Sequence, residues 1–209
     1  NHLNDITLNA RYSSICGYTE PELQSVFADR LSEISLDEVR RWYNGYNWLG
    51  ESVYNPWSLL NLFEQRRFSG FWWESGKPSF LLKLLERKKV FVPRLAALHT
   101  DEDLLGKFDN DDISPDALLF QAGYLTIRQV ENVGGVNSYT LGYPNLEVEK
   151  HLNAGMFTTL SGQPGETFSR LEKAMIGLDW PQVCALMHAR FAAIPYHYPG
   201  LRKWVQKTA

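Results

Sequence analysis

Little in this chain is present in excess, and its shortages exclude several functions. It has only two cysteines, Cys16 and Cys184, far apart and in no CxxC arrangement. So few cannot build a disulfide scaffold, and they read as free thiols of a reducing cytosol, with one long-range pairing left open. No apolar run approaches the ~18 residues that a spanning helix needs. Nothing in the opening residues reads as a signal peptide, so the expectation is a cytoplasmic protein with no membrane partner. The net charge is only −3 and the pI near 6.0, which argues against a broad electrostatic grip on nucleic acid.

Motifs that carry chemistry are missing too. A phosphate-binding loop needs GxxxxGK[ST], whose amides cradle phosphates and whose Lys reaches them; Gly76-Lys77-Pro78 lacks both the spacing and the hydroxyl. The histidines His2, His99, His151, His188 and His197 include no i,i+4 pair and have no cysteine nearby in sequence. They read as solvated or core residues, and no metal site is expected. Asp109-Asn110-Asp111-Asp112 fails as a calcium loop because Ile113 falls on a ligand position and the next residue is not Gly. It reads as a solvated acidic turn leading to Ser114. No catalytic residue is identified anywhere, and there are no internal repeats.

What is present is an ordinary globular composition, 44% hydrophobic and 22% charged over 209 residues, organised around one aromatic stretch. Trp42-Tyr43-Asn44-Gly45-Tyr46-Asn47-Trp48 continues into Val53-Tyr54-Asn55-Pro56-Trp57. Aromatic rings bring large burial terms, and Asn-Gly and Asn-Pro fix where the backbone turns. The stretch is either a core corner or the wall of a site.

Capping signals set the helices on either side. Thr19-Glu20-Pro21-Glu22 predicts a helix start with a capping box, followed by the apolar stripe Leu23, Val26, Phe27 and Leu31. Ser35-Leu36-Asp37-Glu38 is a second box, opening a helix that buries Val39, Trp42 and Tyr43 and stops at Asn44-Gly45. Tyr46 to Tyr54 predicts a hairpin turning near Leu49-Gly50-Glu51. Asn55 then caps a helix with Pro56 at its first position, and Trp57, Leu59, Leu60, Leu62 and Phe63 predict burial of much of its surface. After a turn at Ser69-Gly70 comes Phe71-Trp72-Trp73, and Gly76-Lys77-Pro78 opens a helix to about Leu85.

Val90 to Leu98 is a short apolar segment. Ser114-Pro115 caps a helix that Gly123 ends, and two β-prone segments, Tyr124–Ile127 and Ser138–Leu141, flank the turn Gly134-Gly135. That order resembles the second half of a winged helix. DNA reading would need basic residues, yet the helix over 115–122 has none and the wing holds Arg128 beside acidic Glu131. The basic run Lys83, Arg87, Lys88 and Lys89 reads as a helix end beside its own dipole.

Asn145 caps a helix to about Leu160, Ser161–Gly165 reads as a linker, and two amphipathic helices follow. Phe168, Leu171, Met175 and Ile176 mark one. Val183, Leu186, Met187 and Phe191 mark the other, which Ile194-Pro195 stops. Cys184 reads as a buried thiol on the second. The segment after Pro199 reads as a fraying or truncated end. The opening at Asn1, without Met, reads as a segment already under way, so a piece of a longer protein is expected.

Successive blocks carry a resemblance. They are Asn4-Asp5-Ile6-Thr7, Tyr12-Ser13 with Cys16-Gly17-Tyr18-Thr19, Trp42-Tyr43-Asn44-Gly45-Tyr46, Val53-Tyr54-Asn55-Pro56 and Ser75-Gly76-Lys77-Pro78-Ser79-Phe80-Leu81. Leu118-Leu119-Phe120-Gln121-Ala122-Gly123-Tyr124-Leu125-Thr126-Ile127 and Tyr143-Pro144-Asn145-Leu146-Glu147-Val148 complete the set. In this order they resemble the bacterial AAA-ATPase-like proteins, which commonly carry a PD-(D/E)XK nuclease-like domain after the ATPase part. The similarity runs from about Leu3 to Tyr196.

The resemblance implies that the Walker A, Walker B and sensor segments precede this chain and the nuclease motifs follow it. The chain then corresponds to the P-loop NTPase lid and winged-helix middle of an ATP-binding protein. ATP with Mg belongs to the parent protein, and no cofactor is expected for the chain alone. The implied partners are the ATPase core and nuclease-like domain of the same polypeptide, with nucleic acid reached only through the parent. It also implies that Tyr54, Asn55 and Pro56 face the nucleotide in the complete protein; a capped helix start in a packed aromatic corner is the competing reading.

The expected fold class is mostly α with a small antiparallel β part. A helical lid-like subdomain is expected over 1–90, a winged-helix-like subdomain over 91–160 and a helical connector over 161–209. Exposed apolar faces are expected at Trp72, Trp73 and the tail helices, where neighbouring domains would dock. The alternatives are a stand-alone protein-interaction module and a winged-helix DNA binder.

Overall fold

The computed structural model describes residues 6–76, 78–101, 114–161 and 165–192. The acidic turn at Asp109–Asp112, the centre of the linker, the Ile194-Pro195 stop, the terminal segment, His2, His197 and Lys77 lie outside the described residues. The fold is α+β, mostly helical with small antiparallel sheets. No described helix is long and apolar enough to cross a membrane.

The capping signals place the first helices. Helix α1 (Glu20–Val26) starts at Thr19, whose hydroxyl oxygen accepts from Glu22 N while Glu22 accepts from Thr19 N at 2.8 Å. The predicted stripe is interrupted: the chain breaks at Phe27, restarts as α2 (Ala28–Leu31), and leaves Val26 66% exposed. Helix α3 (Leu36–Tyr43) starts on Ser35 and buries Val39 and Tyr43, with Trp42 half-buried.

Strand β1 (Asn44–Tyr46) follows directly and pairs antiparallel with β2 (Val53–Tyr54). Gly45 is needed there for a reason beyond helix termination. Its φ is +122°, and a Cβ would stand 1.9 Å from the Pro144 carbonyl oxygen. The hairpin is pressed onto the segment that precedes the longest of the described helices.

Helix α4 (Pro56–Gln65) begins as predicted on Asn55, whose Oδ1 accepts from Ser58 N. Leu59, Leu62 and Phe63 are buried, whereas Trp57 and Leu60 remain about half exposed, so its burial is one-sided. Phe71-Trp72-Trp73 forms a short helix, α5 (Phe71–Gly76), and α6 (Ser79–Arg87) follows.

A 3-10 segment (Val92–Ala96) leads to β3 (Leu98–Asp101), a strand with no clear sequence signal. Helix α7 (Pro115–Gln121) is capped by Ser114, and Gly123 at φ +78° turns the chain towards β4 (Thr126–Val133). β5 (Val136–Gly142) returns antiparallel and lies at the centre of the order β3-β5-β4. Asn145 then caps α8 (Leu146–Ser161), and α9 (Gly165–Ile176) and α10 (Trp180–Ala192) complete the described chain.

Two hydrophobic clusters result. The smaller joins Leu23, Val39, Tyr43, Tyr54, Leu59 and Phe71 from the first five helices and the hairpin. The larger draws on both sides of residue 90, from Val53, Leu81 and Leu85 to Leu119, Leu141 and Leu152. Tyr46 and Val53 belong to the larger cluster and Tyr54 to the smaller, so the hairpin lies between them.

Some expectations change. Trp72 and Trp73 are not docking faces: they are half-buried against the larger cluster, and Trp72 packs on Tyr124 with ring centres 5.0 Å apart. Cys184 is exposed, because its position on α10 turns outward, and Cys16 is exposed too. The tail helices do carry exposed apolar residues at their connection, including Ile176 (77%), Leu178 (67%) and Trp180 (58%).

Candidate functional site

The hairpin fixes the geometry from which the candidate site is built. Asn47 organises its turn: Nδ2 donates to Gly50 O at 2.6 Å, and Oδ1 accepts from Leu49 N at 2.9 Å. Asn47 also holds the hairpin to β4, since its N–H donates to Thr126 Oγ1 at 2.7 Å and that hydroxyl donates back to Asn47 O. On the other edge, Tyr54 exchanges backbone hydrogen bonds with Tyr18.

Between this hairpin, the start of α4 and the end of α7 lies a cleft of about 450 Å³. Tyr46, Trp48 and Val53 come from the hairpin region, and Trp57 and Trp72 from α4 and α5. Gln121, Ala122 and Gly123 close it from the other side, and Cys16 stands at its edge. Trp48 stacks on Tyr46 with an interplanar angle of 14°. Trp57 is held across the cleft mouth by its indole N–H, which donates to Phe71 O at 3.2 Å.

The residues Tyr54, Asn55 and Pro56 all line this cleft. Their side chains are not equally free. Tyr54 is fully buried and donates its hydroxyl to Glu20 Oε2 at 2.5 Å, so its polar tip is committed to α1. Burial and that carboxylate push its phenol above the usual tyrosine range. Asn55 spends its Oδ1 on the α4 cap. Pro56 has no N–H, and a fixed φ suits it to the first helical position. Tyr46 keeps a buried hydroxyl beside the Asn55 and Asn145 side chains, without a hydrogen bond of good geometry among the described residues.

Among the described residues, no lysine, arginine, histidine or carboxylate lines the cleft. Aromatic walls with a few polar atoms suit a flat, uncharged ring system such as a nucleobase. Phosphates would find no countercharge among the described residues of this cleft. Among the described residues no cluster of metal-ligating side chains exists.

One residue behind the cleft was not legible beforehand. Glu147, on the first turn of α8, is fully buried. Ser58 Oγ of α4 donates to its Oε2 at 2.7 Å, and Trp72 N of α5 donates to its Oε1 at 2.8 Å. Burial pushes its carboxyl up to about 7, although the Ser58 hydroxyl and the Trp72 and Trp73 amides favour the ionised form; Glu74 adds to the rise. Glu147 and Glu149 sit on the same first turn, and acidic residues there read alike as complements to the helix dipole.

The other side of the hairpin holds a second cleft of about 430 Å³, lined by Arg40, Arg41, Asn44, Ser52, Arg128 and Glu149 among others. Two of its guanidinium groups are already engaged. Arg40 pairs with Glu20 at 2.7 Å and Asp37 at 2.6 Å, and Arg128 donates to the Tyr143 and Pro144 carbonyls. Arg128, the one basic residue on the wing, therefore folds back onto its own chain.

No protein-family model matches the chain, and no solved structure matches it. The chain is similar to a protein of Azotobacter chroococcum mcd 1 described as an uncharacterized protein in the vnfD 5' region. The two are 44% identical over 201 residues, which cover 95% of this chain and 39% of that protein. The chain thus spans well under half the length of the relative it matches.

Proposed function

We propose that this chain is the nucleotide-dependent lid and conformational coupler of a cytoplasmic AAA-type ATPase-like protein, with no catalysis of its own. The observation that carries the reading is the convergence of Tyr54, Asn55 and Pro56 on one uncharged aromatic cleft with Trp48, Trp57 and Trp72. The base of ATP would rest against the rings of Trp48 and Trp57 and the Pro56 edge. Mg and the phosphates would be held by the ATPase core of the same polypeptide, consistent with the lack of any cationic side chain in the cleft. Closure on nucleotide would then be passed through the helices after α8 to a nuclease-like domain, through which any nucleic acid would be reached. The matched relative is much longer than this chain, which leaves room in it for further domains.

The test is nucleotide affinity of the complete parent polypeptide and its Pro56→Ala variant, read by tryptophan fluorescence on titration with ATP–Mg. The reading expects at least a fivefold weaker affinity in the variant, and an unchanged affinity would sink it.

A second reading, a protein-interaction module, is favoured by the exposed Ile176, Leu178 and Trp180 at the α9–α10 connection. Deleting that apolar tip by Ile176→Ser with Leu178→Ser should abolish partner capture under this reading and leave nucleotide affinity unchanged under the first.

A further inference from the structure

The cleft and α8 share one buried side chain, and its position has a consequence for how a signal could leave the cleft. Ser58 stands two residues after Pro56, on the first turn of the helix that begins at the cleft. Trp72 forms part of the cleft wall. Both are bonded to Glu147, the first through its hydroxyl and the second through its backbone N–H. Glu147 in turn belongs to α8, which packs against α3, α5 and α6 and leads to α9. His151, one turn further along α8, donates its Nδ1–H to Glu147 O at 2.7 Å and lies against Gly70, where a Cβ would come within 2.3 Å of its ring.

No other described side chain hydrogen-bonds both α4 and α5 from α8. The two cleft walls cannot move apart, or together, without changing at least one of these bonds. A bond broken inside this region leaves a buried polar group unpaired, which makes the arrangement discrete instead of freely sliding.

We propose that Glu147 is the positioning residue through which the state of the aromatic cleft is transmitted to α8. This rests on the reading of that cleft given above for the ligand, but the mechanical link can be tested without one. Opening the cleft at Pro56–Trp57 shifts Ser58 and Trp72 together, and the shared carboxyl carries that shift to the first turn of α8. Glutamine preserves the link, since its amide can accept from Trp72 N and donate to Ser58 Oγ. Leucine removes both bonds, and Ser58→Ala removes one.

The test is amide hydrogen exchange of α8, compared with and without Trp57→Ala, in four backgrounds of this chain: wild type, Glu147→Gln, Ser58→Ala and Glu147→Leu. In wild type and Glu147→Gln, Trp57→Ala should speed exchange over 147–157 by at least threefold. In Ser58→Ala that response should fall below half its wild-type size, and in Glu147→Leu it should vanish, while exchange in β3–β5 is unaltered. Should Glu147→Leu fail to fold, the Ser58→Ala background decides the matter alone. A full response in Ser58→Ala, or none in wild type, would overturn the proposal. A parallel arm adds ATP–Mg to the complete parent polypeptide: if ATP leaves α8 unchanged while Trp57→Ala speeds it, the nucleotide reading fails and the link stands.

Discussion

The β1–β2 hairpin separates two clefts of nearly equal size, about 450 and 430 Å³, with opposite chemistry. One is walled by Tyr46, Trp48, Trp57 and Trp72 and has no charged side chain among its described lining residues. The other is lined by three arginines and a glutamate, yet Arg40 and Arg128 are spent on Glu20, Asp37 and two backbone carbonyls. Charge lining a cleft is therefore a poor guide to a site when it is already paired within the fold. The uncharged cleft is the better candidate because Trp48, Trp57 and Trp72 keep part of their surface open and its polar atoms hold the walls in place.

The largest effect on both clefts is expected at the hairpin itself. Gly45→Ala would drive a Cβ into the Pro144 carbonyl at a φ that side chains rarely adopt, so both clefts should deform. A loss of about 3 kcal/mol in urea-unfolding stability is expected. Glu147→Leu comes next, because it disturbs only the aromatic side. It orphans the Ser58 hydroxyl and the Trp72 amide, and a loss of about 2 kcal/mol is expected by the same measurement.

The pH dependence of stability should have opposite signs on the two sides. Glu147, with its carboxyl raised from 4.5 to about 7, holds its proton more tightly folded than unfolded. Its contribution is complete below pH 4.5, declines as pH rises to about 7 and is flat above. Glu20 is held below the usual range, mainly by its hydrogen bond from Arg40. Its contribution is complete above about pH 4.5 and declines as pH falls below that value. Urea unfolding from pH 3 to 8 should show the decline above 4.5 disappear in Glu147→Gln and the decline below it shrink in Arg40→Gln.

The smallest effect sharpens the contrast. Arg41 lines the polar cleft, is exposed and is fixed by no ion pair or hydrogen bond to a described residue. Arg41→Ala should change stability by less than about 0.5 kcal/mol and leave ATP affinity of the complete parent unchanged. A tenfold loss of ATP affinity in that variant would shift the site to the polar side.

Local signals served well where a side chain answers its own neighbours in sequence. Thr19 with Glu22, Asn55 with Pro56, Ser114 with Pro115, and Asn145 each opened the helix expected of it. The hairpins at Leu49-Gly50 and Gly134-Gly135 followed from turn chemistry in the same way. What was illegible depended on distant partners. Strand β3 exists because β5 offers it an edge, and Phe71-Trp72-Trp73 becomes helical with Glu147 holding the Trp72 amide. Cys184 and Val26 are exposed although their neighbours are apolar, because helix phase and a break at Phe27 decide which face turns inward. Of the cleft's lining, Tyr54, Asn55 and Pro56 were singled out through the family resemblance, while Trp72, Gln121 and Gly123 are brought beside them only by the fold.

The most direct measurement is photo-crosslinking of the complete parent polypeptide with 8-azido-ATP and Mg, followed by mapping of the labelled peptide. Base-directed label is expected on 46–57 or on the peptide carrying Trp72, with ATP competing it away. Competed label found only outside these peptides would contradict the assignment of the aromatic cleft to the nucleotide base.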